Sequence, residues 1–489
     1  MMERKQMPTA TSDIRLTDEQ ELAIEIFKSE QSLKLNAFAG AGKTSTLRAM
    51  AMSSRRRGLY VAFNRAIADY AAKSFPSFVY CRTIHSLAYR AVASRFPASD
   101  KLTQAMNRYR VDQILSLREM SFGKVAVTRL EIASLVLACL QRFAASADRT
   151  ISPTHVPHWG VLGSLAPKQL RQVSKYVVER AKALWKKMVS PVDDTPLGHD
   201  GYLKLWALSD PVLDSDFIML DEAQDANAVM LGVLGRQQCQ MVYVGDRHQQ
   251  IYEWRGAVNA MESVETQREA YLTHSFRFGQ EIANCANGVL RELGETRLVL
   301  GAGPGQAPKK ASRSRALLSR SNASVIATLF ETLKANQRPY IEGGTLELER
   351  LLDGVGKLQA GTRSEHPELF GFKDWREVVD FSKTEEGQEY RKLVNLVTAH
   401  KVVELRNALR QVEQSPETST VTLSTTHKAK GREWDCVELT DDFHVPQKNK
   451  DGKRTTVPKE ELRINYVAMT RARHELVLPK NMRDWVGSA

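Results

Sequence analysis

The stretch Ala37-Phe38-Ala39-Gly40-Ala41-Gly42-Lys43-Thr44 decides the fold of this chain. An apolar run, Leu33 to Phe38, precedes the glycines, and a helix-like segment, Ser45 to Met50, follows them. A strand, a glycine-rich turn, Lys-Thr and a helix form a phosphate-binding loop, because backbone N–H groups and the helix N-terminus face the anion. Lys43 neutralises phosphate charge, and Thr44 can ligate Mg²⁺. The stretch therefore predicts that nucleotide phosphates are held by Ala39, Gly40, Ala41, Gly42, Lys43, Thr44 and Ser45.

A second signature supports this nucleotide site, which matters because Ala37 replaces the usual first glycine of the pattern. Phe217 to Leu220 is a continuous apolar run, typical of a buried parallel strand, and Asp-Glu-Ala-Gln-Asp follows it at 221–225. Carboxylates at the C-terminal end of such a strand lie where open α/β sheets bind ligands. We expect Asp221 to hold Mg²⁺, directly or through water, and Glu222 to polarise the attacking water. The two signatures together predict a nucleoside triphosphatase.

Composition narrows the class of protein. The 489 residues are 42% hydrophobic and 26% charged, which is typical of a soluble globular chain of two or more domains. No apolar run has the length of a membrane span, and no signal-peptide core stands near the N-terminus, so no membrane association is expected. The five cysteines form no C-x-x-C pair, which argues against disulfides, zinc and iron–sulfur clusters and favours the reducing cytoplasm. A net charge of +12 favours a polyanionic partner.

The order of apolar patterns predicts an α/β fold. Strands that alternate with helical segments indicate a parallel sheet wrapped by helices. Further strands of this first sheet are expected at Leu59 to Phe63, Val79 to Ser86 and Gln240 to Val244. A helical insertion is expected between residues 90 and 198, because apolar residues recur at helical spacing over Leu102–Arg118, Val127–Ala145 and Pro167–Met188. A second sheet is expected from Ala316–Leu318, Val421–Ser424, Cys436–Leu439 and Glu475–Leu478.

Several longer segments occur in a definite order along the chain. They are LTDEQ (Leu16–Gln20), TIHS (Thr83–Ser86), GDRHQQIYEWRGA (Gly245–Ala257), SFR (Ser275–Arg277), THKAKGREWD (Thr426–Asp435) and NYVAMTRA (Asn465–Ala472). Together with the phosphate loop and the acidic strand end, these segments resemble the motifs of superfamily 1 helicases of the UvrD/Rep type. The resemblance covers nearly the whole chain, and so many long matches in order make coincidence negligible.

Details bring the chain closer to the F-box DNA helicases and their bacterial and phage relatives. The segments that carry this likeness are LNAFAGAGKT, VAFNRAIAD, HDGYLKLW (His199–Trp206) and GDRHQQIYEWRGAVNA. Only some fifteen residues precede the LTDEQ element, so we expect no F-box adaptor domain and no ubiquitin-ligase function. The stretch from Phe278 to Val421 is shorter than its counterpart in large UvrD-type enzymes, so the regulatory insertion there is expected to be reduced.

The resemblance implies two RecA-like P-loop NTPase-type parallel-sheet domains with mainly helical inserted subdomains. The first RecA-like domain is expected at 1–89 and 199–270, interrupted by the helical insertion at 90–198. The second is expected at 271–344 and 414–489, interrupted by the reduced insertion at 345–413.

The resemblance also assigns roles at the nucleotide, with ATP and Mg²⁺ as cofactors. Lys43, Arg277 and Arg471 would clamp the transferring phosphoryl group, the two arginines as fingers from the second domain. Gln249 would sense the γ-phosphate and relay it to Tyr252 and Trp254. The adenine would be read by Gln20 and stacked by Phe276, and Glu433 would accept from the ribose hydroxyls.

A nucleic-acid track needs flat side chains and phosphate contacts. Trp254, with Arg255 beside it, is the best candidate for base stacking, since stacking tolerates any sequence. Tyr252 would buttress Trp254 or contact the strand itself. Core packing stays open as the alternative for Trp254, because aromatic rings usually bury their faces. By resemblance, backbone contacts with the strand are expected from Asn64, Thr83, His85 and His427.

These inferences converge on an ATP-dependent DNA helicase that translocates on single-stranded DNA and acts on tailed duplexes, with 3′ to 5′ polarity by resemblance. A translocase that strips bound proteins, such as recombinase filaments, with little unwinding stays open. A non-hydrolysing ATP-binding scaffold is the alternative from another class, and the full set of catalytic residues argues against it. An RNA helicase and a helicase–nuclease fusion are disfavoured. Repair, recombination and replication all remain open as the pathway.

Overall fold

The computed structural model of the chain describes residues 16–97, 100–123, 125–158, 162–163, 165–253, 256–305, 314–384, 387–447 and 454–487. The strands in these ranges, in chain order, are β1 Leu33–Ala37, β2 Gly58–Ala62, β3 Val79–Thr83, β4 Met120–Phe122, β5 Val125–Val127, β6 Phe217–Leu220, β7 Gln240–Gly245, β8 Arg268–Leu272, β9 His274–Ser275, β10 Leu300–Gly301, β11 Arg315–Ser319, β12 Pro339–Ile341, β13 Val421–Thr425, β14 Trp434–Leu439 and β15 Ala472–Val477.

Helices connect these strands. In chain order they are α1 Asp18–Lys28, α2 Lys43–Met52, α3 Arg65–Ser74, α4 Ile84–Val92, α5 Asp100–Thr103, α6 Arg108–Leu115, α7 Arg129–Ala145, α8 Pro167–Met188, α9 Gly198–Ala207, α10 Ala228–Leu234, α11 Ala260–Ser263, α12 Gln280–Glu292, α13 Asn322–Lys334, α14 Leu346–Gln359, α15 Trp375–Phe381, α16 Arg391–Ala399, α17 Val402–Leu409, α18 Thr426–Ala429, α19 Lys459–Met469 and α20 Lys480–Gly487. None of the helices in the described part of the chain combines the length and hydrophobicity that crossing a membrane requires.

Two parallel sheets organise the chain, which confirms the predicted α/β class. The first has the order β3-β2-β6-β7-β1-β8 and the second the order β12-β13-β11-β14-β15. Each is covered by helices on both faces, so its central strands are nearly continuous hydrophobic runs. The first sheet includes β8, which ends at Leu272, just past the boundary expected at residue 270.

Four details of the secondary structure differ from the expectation. The strand expected at Val79 to Ser86 ends at Thr83, because Thr83 caps α4 by accepting from the backbone N–H of Ser86. The single helical segment expected at Leu102–Arg118 is two helices, because Asn107 caps α6 by accepting from the backbone N–H of Arg110. The antiparallel hairpin β4–β5 and the short strand β12 were missed, since strands of three residues carry almost no periodic signal. The last strand begins at Ala472 rather than Glu475, because the alternation of more and less buried side chains starts at the end of the NYVAMTRA segment.

Two buried lysines fasten the helices between β3 and β6. Lys101 donates to the carbonyl of Lys187 in the last turn of α8 and to those of Ser190 and Asp193 beyond its end. Lys204, inside the HDGYLKLW segment, donates to Ser146 O at 2.8 Å and Asp148 O at 2.5 Å beyond the end of α7. Burial lowers the pKa of Lys204 to about 8. Cations suit these places because the last carbonyls of a helix carry partial negative charge. This part of the sequence therefore serves packing.

Gly58 offers a test of how closely the first sheet is packed. A Cβ built on Gly58 would lie 2.2 Å from the ring of Phe217 on the neighbouring strand. We expect Gly58→Ala to lower the free energy of unfolding by about 1–3 kcal/mol, because the ring must shift within a dense core. The measurement is the denaturant midpoint followed by circular dichroism. Gly371→Ala, where a Cβ meets no atom within 4 Å, is the control. Equal midpoints for the two variants would contradict the packing argument.

Candidate active site and nucleic-acid track

The phosphate loop lies between β1 and α2. Gly40 and Gly42 adopt φ values of +74° and +76°, which L side chains rarely adopt, so the turn needs its glycines. The N–H of Ala39 does not point into solvent; it donates to the hydroxyl of Tyr466 on α19 at 3.2 Å. A helix that packs against the second sheet therefore touches the loop directly. The residues predicted from the sequence, 39–45, form this loop and the first turn of α2.

The two predicted acidic residues lie beside the loop. Nζ of Lys43 lies 3.2 Å from Oε1 of Glu222. Asp221 accepts from the hydroxyl of Tyr60 on β2 at 2.5 Å and from the backbone N–H of Glu222 at 2.9 Å. Glu222 has φ +50°, a left-handed conformation that is strained for a non-glycine residue and is typical of functional sites. The structure thus brings Lys43, Asp221 and Glu222 together and adds Tyr60, which the sequence analysis missed.

Burial and neighbouring charges separate the acidic pair electrostatically. Burial and the adjacent Glu222 raise the pKa of Asp221 to about 6. Burial opposes ionisation of Glu222 as well, but the charges of Lys43 and Lys430 outweigh it and lower its pKa to about 2. Burial also acts against the charge of Lys43, and the carboxylates of Glu222, Asp246 and Asp221 overcome it and raise the pKa of Lys43. The site therefore holds a charged Lys43–Glu222 pair.

Gln249 and Arg471 meet from opposite sheets. Nη2 of Arg471 donates to Oε1 of Gln249 at 3.2 Å, and Nε2 of Gln249 donates to Asp246 at 2.8 Å. The Arg471 guanidinium makes three further hydrogen bonds. It donates to the carbonyls of Val467 and Arg432 and to the hydroxyl of Thr470. Among the described residues, no ion pair joins Arg471 to a carboxylate, although it is only 1% exposed.

The second predicted finger, Arg277, lies at the mouth of the same junction. Its guanidinium donates to Glu433 at 2.8 Å and to the carbonyl of Thr470 at 3.0 Å. Burial, first, and the charge of Arg277, second, lower the pKa of Arg471 to about 9. The two guanidinium groups thus repel each other, and Glu433, predicted to bind ribose, serves here as the partner of Arg277.

The residues predicted for the adenine flank the loop at Gly42. A Cβ built on Gly42 would lie 3.1 Å from Nε2 of Gln20 and 3.4 Å from the ring of Phe276. The amide of Gln20 is engaged internally, since it accepts from the N–H of Thr17 at 3.1 Å and donates to Thr46 at 3.0 Å. Phe276 is 45% exposed, and an exposed ring at the edge of a nucleotide loop suits base stacking.

A buried ion pair crosses the junction and was missed by the sequence analysis. Nζ of Lys430 donates to both carboxylate oxygens of Asp225, at 2.8 and 2.5 Å, and to the carbonyl of Gln249 at 2.5 Å. It also lies 5.0 Å from the centre of the Tyr252 ring. Asp225 is the last acid of DEAQD, and Lys430 is the second lysine of THKAKG. Their places within two motifs were the sequence signal that could have identified the pair. Lys430 links the nucleotide side to the aromatic side.

Two of the predicted strand-binding residues, His85 and Tyr252, line a cleft beside the acidic pair. The cleft has a volume of about 220 Å³ and is lined by Asp221, Glu222, Phe63, His85 and Tyr252, among others. The rings of Phe63 and Tyr252 lie nearly parallel, with centroids 6.4 Å apart, and the Tyr252 hydroxyl donates to the carbonyl of His427 at 3.0 Å. Phe63 is 49% exposed and was not predicted as a strand-binding residue. It follows an apolar strand, which made it look like core.

Two other predicted strand contacts serve as helix caps. Asn64 accepts from the N–H of Ile67 at 2.9 Å at the start of α3, and Thr83 accepts from the N–H of Ser86 at 3.2 Å at the start of α4. Their backbones remain at the same edge of the sheet as His85. Trp254 and Arg255 lie outside the described residues, so their predicted roles stay predictions.

The donor set at the loop fits a nucleotide with a divalent cation. Among the described residues, no cluster of three or more His, Cys, Asp or Glu side chains would hold a metal by itself. Mg²⁺ needs few protein ligands, because it keeps water and takes phosphate oxygens. Thr44 in the first turn of α2 and Asp221 at the end of β6 would supply those ligands, and the buried Arg471 would face the phosphates.

Comparison with known proteins agrees with this geometry. The family model described as the UvrD/REP helicase N-terminal domain matches residues 16–267, and the UvrD-like helicase C-terminal domain matches residues 373–482. The chain belongs to the UvrD/REP helicase family. The resemblance drawn from the motifs is therefore confirmed, and the two matches include five of the six strands of the first sheet and β13, β14 and β15 of the second.

Two relatives of this UvrD/REP chain are similar over nearly its whole length. F-box DNA helicase 1 of Gallus gallus is 31% identical over 98% of this chain and 50% of its own length. F-box DNA helicase protein 1 of Schizosaccharomyces pombe is 31% identical over 95% of this chain and 57% of its own length. A probable DNA helicase II homolog of Mycoplasma pneumoniae is 34% identical over 15% of this chain and 12% of its own length. The chain thus spans about half the length of its F-box relatives.

The ion pair between Lys430 and Asp225 offers a test of the junction. Lys430→Met leaves a buried carboxylate without its cation, so we expect the free energy of unfolding to fall by about 3–5 kcal/mol. Adding Asp225→Asn should recover most of that stability, because the uncompensated charge is gone. Thermal unfolding of the single and double variants measures both effects. Equal midpoints for Lys430→Met and the unaltered chain would show that the pair does not hold the sheets together.

Proposed function

We propose that the chain is an ATP- and Mg²⁺-dependent DNA helicase that moves along single-stranded DNA and separates the duplex ahead. The observation that carries the proposal is the guanidinium pair at the junction. Arg471 is buried, is joined to no carboxylate among the described residues, and is repelled by Arg277. An anion between the two groups would relieve both the burial cost and the repulsion. A triphosphate on the adjacent loop would place its terminal phosphate there.

The side chains divide the work of hydrolysis between the two sheets. ATP would supply the phosphoryl group, and Mg²⁺ bound by Thr44 and Asp221 would neutralise charge on its oxygens. When the nucleotide binds, Lys43 exchanges its ion pair with Glu222 for a contact with a phosphoryl oxygen. Glu222 is then free to accept a proton from the attacking water. Arg277 and Arg471 stabilise the charge that develops as the bond to the leaving group lengthens.

Closure of the junction couples hydrolysis to movement along the strand. Gln249 bonds to Arg471 on one side, and its carbonyl accepts from Lys430, which in turn lies over the ring of Tyr252. A change at the γ-phosphate therefore reaches the aromatic cleft through two contacts. Phe63 and Tyr252 offer flat faces for bases, and base stacking tolerates any sequence. A ligand that binds the closed state better than the open one drives this cycle.

Family membership supports the finer parts of the proposal. Both long relatives are named DNA helicases, which supports DNA rather than RNA as the substrate. The UvrD-type motifs are the support for proposing movement from 3′ to 5′ and a role in repair, recombination or replication. The net charge of +12 supports binding to a polyanion.

The first test concerns the phosphate clamp. Lys43→Ala removes the cation that stabilises the phosphoryl oxygens, so DNA-stimulated release of phosphate should fall by at least about 100-fold while the fold persists. Lys334→Ala, an exposed lysine on α13, is the matched control and should hydrolyse ATP normally. Turnover of Lys43→Ala within a few-fold of the unaltered chain would refute the assignment. No hydrolysis by the unaltered chain would favour an ATP-binding scaffold.

The second test concerns substrate and polarity. Duplexes with a 3′ single-stranded tail should be unwound and those with only a 5′ tail should not, in DNA but not in RNA form. A gel assay with labelled tailed duplexes measures all four arms. Unwinding from 5′ tails alone would reverse the proposed polarity. DNA-stimulated hydrolysis without unwinding, together with displacement of a bound protein, would favour a stripping translocase.

A further inference from the structure

The residues 246–252, here called the junction segment, follow β7 of the first sheet, and every side chain among them contacts the second half of the chain. Ile251 is fully buried in the same hydrophobic core as Phe278, Val289 and Tyr466. The polar members bond to side chains or carbonyls of the second half of the chain, as in the pairs Asp246–Tyr466, Arg247–Glu295, His248–Glu295, Gln249–Arg471, Gln250–Arg463 and Tyr252–His427.

Glu295 bonds to two members of the junction segment, Arg247 and His248, and no part of the proposed mechanism uses it. It lies between α12 and β10, and its side chain is 4% exposed. Oε2 accepts from Nε of Arg247 at 3.2 Å and lies 2.9 Å from Nε2 of His248. Oε1 accepts from the backbone N–H groups of Thr296 and Arg297, at 2.9 and 3.0 Å. A carboxylate with this many donors is fixed in place.

Electrostatics agree with a permanently charged Glu295. Burial opposes its ionisation, but the bonds from His248, the backbone of Arg297 and Arg247 hold the pKa of Glu295 well below its usual range. His248 is held further by rings on two sides, since it stacks on Phe38 with centroids 6.4 Å apart and meets Tyr466 edge-on at 6.2 Å. Phe38 belongs to the phosphate loop, so His248 is wedged between that loop and Glu295.

The turn held by Glu295 presents the γ-phosphate sensor. Arg247, His248 and Gln249 form one 3₁₀ turn, which Asp246 caps by accepting from the N–H of His248 at 3.0 Å. Two of its three side chains are tied to Glu295, and the third, Gln249, bonds to Arg471. Because the three residues share one turn of backbone, the backbone position of Gln249 depends on where Arg247 and His248 are held.

We propose that Glu295 is a positioning residue for ATP hydrolysis, which acts through Arg247 and His248 to hold Gln249 against Arg471. The inference rests on the proposed function, because it assigns Gln249 to the γ-phosphate. The side-chain partners of Glu295 are Arg247 and His248, neither of which has a role in the proposed mechanism, so its contribution reaches the reaction through Gln249. The second half of the chain thereby determines how the first half senses the triphosphate.

Glu295→Gln tests this with little change in volume. The amide oxygen still accepts from Thr296 and Arg297, while the amide N–H₂ turns a donor toward Arg247 and His248. We expect kcat for DNA-stimulated hydrolysis to fall about tenfold, and affinity for an ATP analogue with a β,γ-imido bridge to weaken about tenfold. Affinity for ADP should change by less than about twofold, since ADP lacks the phosphate that Gln249 senses. Fluorescent nucleotide titration supplies both affinities, and the second readout does not require hydrolysis.

Epistasis with Gln249 separates positioning from general stability. In a Gln249→Ala background, Glu295→Gln should lower kcat by less than about twofold more, because the residue through which it acts is already gone. Glu438→Gln, which removes the partner of Arg315 within the second sheet alone, is the control and should leave kcat and both affinities unchanged.

Three results would overturn the proposal. They are an unchanged affinity for the analogue in Glu295→Gln, an equal loss of affinity for ADP and analogue, and a full additional loss of kcat in the Gln249→Ala background. Should Glu295→Gln fail to fold, Arg247→Ala removes the same link from the other side, and the same outcomes apply. An unaltered chain that binds the analogue but does not hydrolyse ATP would refute the proposed function and leave the affinity test of Glu295 intact.

Discussion

The hydroxyl of Tyr466 is the interaction on which the junction of the two sheets depends. From α19 it accepts the N–H of Ala39 in the phosphate loop and donates to Oδ2 of Asp246 at 2.9 Å. The ring is fully buried, and burial and the adjacent Asp246 raise the pKa of Tyr466 well above its usual range, so the phenol keeps its proton. One oxygen thus satisfies a loop amide and orients the carboxylate that holds Gln249. Without it, a buried N–H and a buried carboxylate would each lose a partner, and each loss is costly.

The charges around this point explain why the site needs a ligand. Lys43 and Lys430 have carboxylate partners in Glu222 and Asp225, whereas Arg471 has only carbonyls, a hydroxyl and an amide. Arg471 is therefore a buried positive charge without a carboxylate partner among the described residues, which is unfavourable until an anion enters. Closing around a polyphosphate lowers the free energy of the junction itself, and losing part of that anion raises it again.

The sequence allowed prediction of side chains whose motifs have a fixed local geometry. The phosphate loop, the acidic strand end and the parallel sheets follow from patterns within a few residues, and the structure places Lys43 beside Glu222 as such patterns require. Tyr60, the Asp225–Lys430 pair and Glu295 were not predicted, because their roles arise only when distant elements meet. Tyr60 reads as an ordinary strand residue until β2 is placed beside β6. The internal bonds of Gln20 and the pairing of Arg277 with Glu433 were equally hidden, since a motif identifies a residue but not the partner it holds without a ligand.

The position of β1 within its sheet has a consequence for the newly made protein. β1 carries the phosphate loop, and its two neighbours are β7 and β8, with Leu33 opposite Val242 on one side and Arg268 on the other. During synthesis the loop leaves the ribosome early and has no flanking strand until residue 245 has emerged, while α4 to α9 are already able to pack on one another. Pairing between such distant segments is slow, because a long loop must close first. Tyr466 arrives later still. A chain that ends before Tyr466 therefore lacks the hydroxyl that bonds to Ala39 and Asp246, and its phosphate loop has no support from the second half of the protein.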